Sequence, residues 1–340
     1  MVSEGHNKKS ISLKKIIKYL FLLSIAGILL FFSFREVKWA DFIDGLKSCN
    51  FYWIGVSMLV GIAGFVFRAL RWRMLLQPLN GGVTFKESYN GVAIAYLTNF
   101  AVPRAGEFAR CGVVAREKRV TFEGALGTVV VERTIDLVCL LGWMVVLLLF
   151  RWNEFGGFLY DQLYKPLQEK FSLQLSWVAA IVLVAIALLG FIAWRSRERL
   201  LKVKFINKLA NIFKGLLQGV VTLFTMKNKW LFIFYTAMIW LTYWLTSLTT
   251  IYAFPSVGHL DGVDALFLMI VGGLGWAVPV QGGLGAYHFI VSMALASVYG
   301  IVQSQGVVFA TISHEAQALV MIICGIISVI SISLSSKRNK

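Results

Sequence analysis

Residues 101–106 read AVPRAG, and residues 277–282 read AVPVQG, so four positions of the two stretches are identical. The first copy closes the apolar stretch 88–103, and the second lies within 264–300, which is also rich in glycine. Proline and glycine break a helix, and a broken helix at membrane depth is tolerated only where protein or water covers its freed backbone groups. Both stretches are therefore predicted not to be simple membrane spans.

The composition of the whole chain is that of a membrane protein. Its 340 residues are 58% hydrophobic and 15% charged, with a mean hydropathy of +0.73, which is more apolar surface than one soluble core can hide. This composition excludes a water-soluble globular domain and a disordered chain. Continuous apolar runs also exclude a β-barrel, whose strands alternate apolar and polar residues.

Six other stretches are long and apolar enough to cross a hydrocarbon core of about 30 Å. They are 16–34, 51–67, 124–150, 176–194, 230–254 and 306–334. We therefore expect an all-α polytopic membrane protein, with residues 1–340 forming a single membrane domain of about six spanning helices.

The basic residues predict the orientation of these spans. Of 33 Lys and Arg residues, 26 lie at the two chain ends or in the segments 68–86, 104–123 and 195–229, and six lie on the opposite side. Because basic residues collect in cytosolic loops, both termini are expected in the cytosol, beneath the cytoplasmic (inner) membrane.

This topology closes only if 88–103 enters and leaves from the cytosolic side and 264–300 enters and leaves from the other side. Each is then a re-entrant hairpin, and residues 51–150 and 230–334 are inverted repeats of one unit. Inverted repeats in transporters place the substrate near the bilayer midplane, where broken helices meet. The alternative is a chance recurrence of Ala-Val-Pro in apolar sequence.

The segment 195–229 carries nine basic residues against the single acid Glu198, interleaved with apolar residues. It is predicted to be an amphipathic helix on the cytosolic leaflet, where its basic face suits anionic lipid headgroups. The same residues satisfy the positive-inside rule, so we do not expect a nucleic-acid partner.

The first hairpin offers a binding site for an anion. Pro103 suits the first turn of a helix, whose free amide groups attract negative charge, and Arg104 adds a planar fork of donors that matches phosphate. Gly106 allows a headgroup to approach the backbone. The alternative is that Arg104 and Arg110 extend to the interface or pair with Glu107.

The span 124–150 contains Glu132, Arg133 and Asp136, which are too costly to face lipid. Glu132 and Asp136 share a helix face, and Arg133 and Asp136 are spaced to pair. The cluster is predicted either to lock helices together, with Arg104 or Arg110 as the partner of Glu132, or to handle substrate or protons.

The second hairpin and the last span carry Gln281, Gly282, Gly283, His288, His314 and Glu315. We expect the two glycines to open the backbone at the hairpin tip. Adjacent residues point about 100° apart on a helix, so His314 and Glu315 do not have metal-ligand spacing, and no metal site is predicted. Polar links between helices or a titratable relay are preferred.

The sequence contains no nucleotide-binding, dinucleotide-binding, nucleophile-elbow or zinc-protease motif. We therefore expect no cofactor, no catalytic residues and no ATP-driven pumping by this chain. Cys49, Cys111, Cys139 and Cys324 show no metal-ligand spacing and are predicted to be free thiols.

Three motifs together resemble the flippase-like membrane domain of the lysylphosphatidylglycerol synthase family: NFAVPRAGEFAR at 99–110, ERTIDL at 132–137 and QGGLG at 281–285. The resemblance covers about 15 to 330. It implies movement of an anionic or aminoacylated phospholipid between leaflets, through a cavity lined by two re-entrant hairpins. The cavity residues that it implies are Asn99, Arg104, Glu107, Arg110, Glu132, Arg133, Asp136, Gln281 and His288.

The chain departs from the family pattern at two positions. Gln281 replaces a proline, and His288 stands where a glutamate is expected, so the lipid that is moved does not transfer by resemblance. Members that synthesise the lipid carry an additional aminoacyltransferase domain. No such domain is expected within residues 1–340, so synthase activity is not expected.

Our first hypothesis is a lipid translocator, a flippase or scramblase, whose partners are membrane phospholipids, a second copy of the chain or a lipid-modifying enzyme. Two other hypotheses stay open. One is a membrane-embedded enzyme acting on a lipid or isoprenoid, with His288, His314 or Glu315 as acid or base. The other is an accessory subunit that binds lipid without transporting it.

Overall fold

The computed structural model describes residues 13–152 except 36, 80–81 and 117–119, the single positions 155, 160 and 165, and residues 228–338. In these parts of the chain all regular secondary structure is helical, as predicted. The expected span 176–194 and all but the last two residues of the basic segment 195–229 lie outside the described residues.

Ten α-helices have both ends in the described ranges. They are α1 Leu13–Phe34, α2 Trp39–Ser48, α3 Phe51–Leu76, α4 Phe85–Ala101, α5 Gly106–Ala115, α6 Phe122–Phe150, α7 Lys229–Tyr252, α8 Gly262–Ala277, α9 Ala286–Tyr299 and α10 Gln303–Arg338. Every predicted span within the described ranges coincides with one of these helices. The short amphipathic helix α2 was not predicted.

Five helical stretches of the described chain are long and apolar enough to cross a membrane. Four coincide with the predicted spans 51–67, 124–150, 230–254 and 306–334. The fifth, Gln281–Tyr299, is the second half of the predicted hairpin 264–300 together with its turn. The chain is therefore a multi-pass membrane protein.

Helices α3 and α7 form an antiparallel pair at the centre of the bundle. The Asn50 N–H, just before α3, donates to the Ala253 carbonyl just after α7 (2.8 Å). Further along, the Ser57 hydroxyl contacts Thr250 Oγ1 (3.2 Å), and Gln317 of α10 donates to the Ser57 carbonyl (3.3 Å). Such links between helices compensate for the missing hydrophobic driving force inside lipid.

Helices α4 and α5 form the first hairpin. Thr84 and Glu87 make a reciprocal capping box at the start of α4. The helix ends at Ala101 because Val102 is extended, which is the conformation favoured before proline. Asn99 then accepts a hydrogen bond from the Gly106 N–H (2.8 Å) and so caps α5.

Helices α8 and α9 form the second hairpin in the same way. Asp261 and Asp264 make the capping box of α8, and the helix ends at Ala277 with Val278 extended before Pro279. Residues 264–272 are all buried, so this part of α8 leaves no face for lipid, and exposure begins only in its last turns, at Gly273 and Leu274. The two AVPxxG motifs therefore end two helices at the same position of the motif.

The two hairpins open at opposite ends of the bundle. The contacts of helix α10 show this, because its two ends lie beside different hairpins. Near its C-terminal end, Ser335 accepts a hydrogen bond from Lys86 at the open end of the first hairpin (3.1 Å). At its start, Gln303 donates to Ser292 of α9 (3.3 Å). Tyr299 closes the second hairpin by donating to Asp264 (3.0 Å). The broken segments of the two hairpins thus point towards each other.

Two local predictions were wrong. The span 51–67 was ended at the first arginine, but α3 continues to Leu76, and Arg68 and Arg71 are buried within it instead of lying in a loop. A buried arginine does not end a membrane helix when a carboxylate of another helix pairs with it, because the ion pair offsets the cost of burying the charge. Pro103 lies in the break rather than in the first turn of α5, which begins at Gly106.

Replacing Gly106 by alanine should destabilise the first hairpin. The added β-carbon would fall on the Ala95 carbonyl oxygen and 2.8 Å from Asn99 Oδ1, at a cost of about 1–3 kcal/mol. Gly112→Ala on the same helix is the matched control, because no described atom lies within 4 Å of its β-carbon. Thermal unfolding in detergent should separate the two variants, and equal stability would contradict the packing described here.

The ion pair between Arg151 and Asp261 (2.6 Å) joins the end of α6 to the start of α8. Burial raises the pKa of Asp261, but the Asp264 and Val263 N–H groups and Arg151 lower it more, so the net pKa is below its ordinary value. The stabilisation is therefore present above the unfolded pKa of about 3.9 and is lost as pH falls through the lower folded pKa.

Asp261→Asn keeps the helix cap and removes the charge. It should lower the free energy of unfolding by about 1 kcal/mol or less at pH 7, as for other exposed pairs. The difference from wild type should vanish as the pH falls below about 4. Unfolding in detergent between pH 3 and 7 tests this, with Asp44→Asn on α2 as the control; a difference that is constant with pH would contradict it.

Candidate functional site

A network of five charged side chains is buried between α3, α5 and α6. Arg68 and Arg71 lie one turn apart on α3, Arg110 lies on α5, and Glu132 and Asp136 lie one turn apart on α6. Residues three or four apart share a helix face. The two arginines of α3 therefore meet the two carboxylates of α6, and the first hairpin brings the third arginine to them.

Glu132 is the centre of the network. Its side chain is 1% exposed, and its carboxylate lies 3.0 Å from Arg110, 3.4 Å from Arg68 and 3.5 Å from Arg71. Asp136 lies 2.7 Å from Arg71 and 3.2 Å from Arg68. One carboxylate thus connects three helices.

The network has more positive than negative charge. Three guanidinium groups face two carboxylates, so one positive charge is not balanced among the five residues. Aromatic rings offset part of this excess: the Arg110 guanidinium lies 4.8 Å from the Trp72 ring, and Arg68 lies 5.6 Å from Tyr243, to which it also donates a hydrogen bond. Cation–π contacts of this kind contribute about 0.5–2 kcal/mol each.

A second ion pair lies outside this network. Arg133 of α6 donates to Glu107 of α5 at 2.8 Å, and the Arg133 side chain is 47% exposed. This pair adds no net charge. It joins the first turn of α5 to α6 at the edge of the buried network.

A narrow open cleft lies beside the two sets of charges. Its walls come from α3, α4, α5 and α6, and they combine charged residues with small and aromatic ones. The lining residues are Arg68, Val92, Ala95, Tyr96, Asn99, Glu107, Arg110 and Arg133.

Two polar atoms of the lining residues lack partners. Within the described chain, Arg110 Nη2 and Glu107 Oε2 are buried and make no hydrogen bond. Deeper in the network, the nitrogens of Arg71 also make no aligned hydrogen bond to a described residue, although one lies close to Asp136. Unpaired buried donors are costly, so they indicate capacity for a further acceptor.

The tips of the two hairpins are in contact. Arg104 donates to the carbonyl of Ala277, the last residue of α8, where the helix dipole favours a cation. Arg104 is the one non-glycine residue with positive φ in the described chain (φ 64°). On the other side, a β-carbon on Gly282 would lie 2.6 Å from the Phe100 ring, so the glycine permits this close contact.

The polar residues at the tip of the second hairpin form a separate cluster with two residues of α10. His314 contacts Glu315 Oε1 through Nδ1 and the Gly282 carbonyl through Nε2, both at 2.9 Å. The His288 ring lies 4.9 Å from the His314 ring. Gly283 is buried and has φ 73°, and Gln281 Oε1 makes no hydrogen bond within the described residues.

The predicted site residues thus form two groups. The first group surrounds the cleft and the network and comprises Asn99, Glu107, Arg110, Glu132, Arg133 and Asp136. The second group surrounds the tip of the second hairpin and comprises Gln281, Gly282, Gly283, His288, His314 and Glu315. Arg104 lies at the contact between the hairpin tips. Of the two partners predicted for Glu132, Arg104 and Arg110, the structure shows Arg110.

Several expected pairings were wrong. Arg133 pairs with Glu107 and not with Asp136, and Asp136 pairs with the two arginines of α3. His314 and Glu315 are in contact despite being adjacent, because long side chains bridge the 100° between neighbouring helix positions. Sequence reasoning also missed Arg68 and Arg71, whose spacing of three complements the spacing of four between Glu132 and Asp136.

The comparisons with known proteins give one match. The family model described as lysylphosphatidylglycerol synthase TM region matches residues 16–325. Neither the search of curated proteins nor that of solved structures found a match to the chain.

Replacing Glu132 by glutamine should destabilise the protein strongly, because three buried arginines would then face Asp136 alone. Breaking a buried ion pair on one side costs about 3–5 kcal/mol. Arg133→Gln on the same helix is the control and should cost less, about 1 kcal/mol, because the Arg133 side chain is 47% exposed and has one carboxylate partner. Unfolding in detergent measures both, and a Glu132→Gln variant as stable as Arg133→Gln would contradict the network.

Proposed function

We propose a function from one premise, namely that the chain belongs to the family of the lysylphosphatidylglycerol synthase TM region. The proposed function is translocation of a phospholipid with an anionic or aminoacylated headgroup between the leaflets of the cytoplasmic membrane. Both termini are proposed to lie in the cytosol. Membership of this family supports a membrane protein related to lipid handling. Translocation is inferred from the hairpins, the charge network and the cleft.

The hairpins are proposed to be re-entrant. At 1.5 Å per residue, α4, α5, α8 and α9 are about 25, 15, 24 and 21 Å long, each shorter than a hydrocarbon core of about 30 Å. Only together with its turn does α9 reach the 19 residues of a candidate span. Two such hairpins that open at opposite ends and meet at their tips suit an inverted-repeat arrangement over 51–150 and 230–334. This arrangement brings polar groups to mid-depth from both sides.

The observation that carries the proposal is the excess of one guanidinium group in a buried network beside an open cleft. Glu132 is ten residues into α6, about 15 Å from its start, so the network lies deep in the bundle. An uncompensated charge at this depth is expensive and is expected to serve a function. A phosphate group would supply the missing negative charge.

The cleft is proposed to widen and to receive headgroups that contain both charges. Arg110 Nη2 can donate to a phosphate oxygen, and Glu107 Oε2 can accept from an ammonium group. Phosphatidylglycerol would use the first contact, whereas phosphatidylethanolamine or an aminoacylated lipid would use both. The acyl chains would remain in lipid while the headgroup moves through polar surroundings, which lowers the cost of leaving water.

Arg104 is proposed to control passage between the two hairpins. Its guanidinium group donates to the end of α8, and the residue itself stands two positions before the start of α5. A headgroup phosphate could replace the Ala277 carbonyl as its acceptor and so release one tip from the other. Energy coupling through a partner and assembly with a second copy or a lipid-modifying enzyme remain compatible with this role.

Lipid movement in proteoliposomes tests the proposal, with fluorescent phosphatidylglycerol, phosphatidylethanolamine and phosphatidylcholine compared side by side. Wild-type protein should move the first two faster than the third. Arg104→Gly suits the positive φ and removes the guanidinium, so it should slow movement about tenfold while the protein stays folded, as expected for one lost hydrogen bond to a charged group.

Glu107→Gln should slow phosphatidylethanolamine more than phosphatidylglycerol, because it removes the acceptor for the ammonium group. Lys86→Ala, at the open end of the first hairpin and outside the cleft, is the control and should move lipid like the wild type. Folded wild type that moves no lipid faster than protein-free vesicles would contradict translocation by this chain alone. Lipid binding without movement would favour an accessory subunit, and chemical turnover would favour an enzyme.

A further inference from the structure

His288, His314 and Glu315 form a compact group of side chains outside the arginine network. His288 lies on α9 and the other two lie near the start of α10. One ligand atom from each residue lies within 4.8 Å of the others. The histidines are 2% and 1% exposed, whereas the Glu315 side chain is 55% exposed.

The contacts of His314 require a proton or a metal cation at its Nδ1 side. Its Nε2 lies 2.9 Å from the Gly282 carbonyl oxygen, so Nε2 carries the hydrogen. In a neutral ring Nδ1 then presents a lone pair, yet Nδ1 lies 2.9 Å from a Glu315 carboxylate oxygen. Two acceptors do not attract each other, so either a proton or a metal cation must lie between them.

His288 favours the metal over the proton. Its Nδ1 is buried and has no hydrogen-bond partner among the described residues, although its ring is 4.9 Å from that of His314. A proton shared by His314 and Glu315 would leave this nitrogen unsatisfied. A metal ion can accept all three side chains as ligands at once.

We propose that His288, His314 and Glu315 bind a divalent transition-metal ion of the Zn²⁺ type. Two imidazoles and one carboxylate are a ligand set that zinc uses in proteins, with metal–nitrogen distances of about 2.0–2.1 Å. A tetrahedral site with such distances places its ligand atoms about 3.4 Å apart, so the three side chains, whose ligand atoms lie within 4.8 Å, would move closer on binding. The Gly282 carbonyl holds the other nitrogen of His314, as backbone carbonyls do around metal-bound histidines.

The metal would join the last helix to the tip of the second hairpin. Gly282 lies in the turn between α8 and α9, and Trp276 at the end of α8 stacks on His314 with ring centroids 4.5 Å apart. Three protein ligands leave a fourth position open, on the side of the exposed Glu315. An oxygen of water or of a lipid phosphate can occupy that position.

Metal binding is measured without reference to lipid movement, so its failure is distinct from failure of the proposed function. The protein is purified by a tag without histidine, stripped with a chelator and titrated with Zn²⁺ by calorimetry and with Co²⁺ by visible absorption. Wild type should bind one equivalent, and the cobalt complex should show the absorption of a low-symmetry nitrogen and oxygen site.

Glu315→Gln and His288→Gln should each weaken Zn²⁺ binding at least about hundredfold, since even outer-shell partners are worth 10–100-fold. The Glu315 side chain is half-exposed, and glutamine keeps its shape. The Glu315→Gln variant should therefore fold, even if the buried substitution His288→Gln prevents folding. His259→Gln, an exposed histidine in the loop before α8, is the control and should bind like wild type. Folded wild type that binds no metal would overturn the site, as would equal affinity in Glu315→Gln.

Discussion

The carboxylate of Glu132 lies on three arginines from two other helices, in a part of the bundle that water does not reach. A single charge there would be too costly, so α3, α5 and α6 can pack only in positions that keep the ions paired. This constraint explains why α3 continues past Arg68 to Leu76 and why the first hairpin turns back at 102–105, since the turn brings Arg110 to Glu132. The same network retains one guanidinium without a balancing carboxylate, and that residual charge links the packing to the proposed headgroup site.

The two hairpins provide the second element of the account. Their first helices end at the same alanine of the AVPxxG motif, their breaks touch through Arg104 and Ala277, and their open ends lie at opposite ends of the bundle. The groups at the two tips differ, however. The first hairpin is lined by arginine and carboxylate side chains, whereas the second lies beside a histidine of its own, His288, and the His314 and Glu315 side chains of α10. A headgroup that passes between the tips would meet an anion-binding surface on one side and the proposed metal ligands on the other.

Much of the helix pattern could be predicted from the sequence, because apolar length and proline act locally. The helix ends at Ala101 and Ala277 follow from the residue before proline, and the contact of Arg110 with Glu132 was one of two expected partners. What failed depends on distant contacts. Arg68 and Arg71 were taken for loop charges because their partners are more than 60 residues away, and His314 with Glu315 was dismissed on helix angle alone. The short helix α2 has no long apolar run and therefore no signal in a search for spans.

The hairpins are proposed to enter a membrane from opposite sides without crossing it. The most direct measurement is labelling of single cysteines by a membrane-impermeant reagent, added from either side to a variant without Cys49, Cys111, Cys139 and Cys324. Lys86→Cys and Arg116→Cys, at the two ends of the first hairpin, should both react from the cytosolic side alone. His259→Cys and Val302→Cys, at the two ends of the second, should both react from the other side alone. Labelling of the two ends of one hairpin from opposite sides would show that it spans the membrane and would contradict the account.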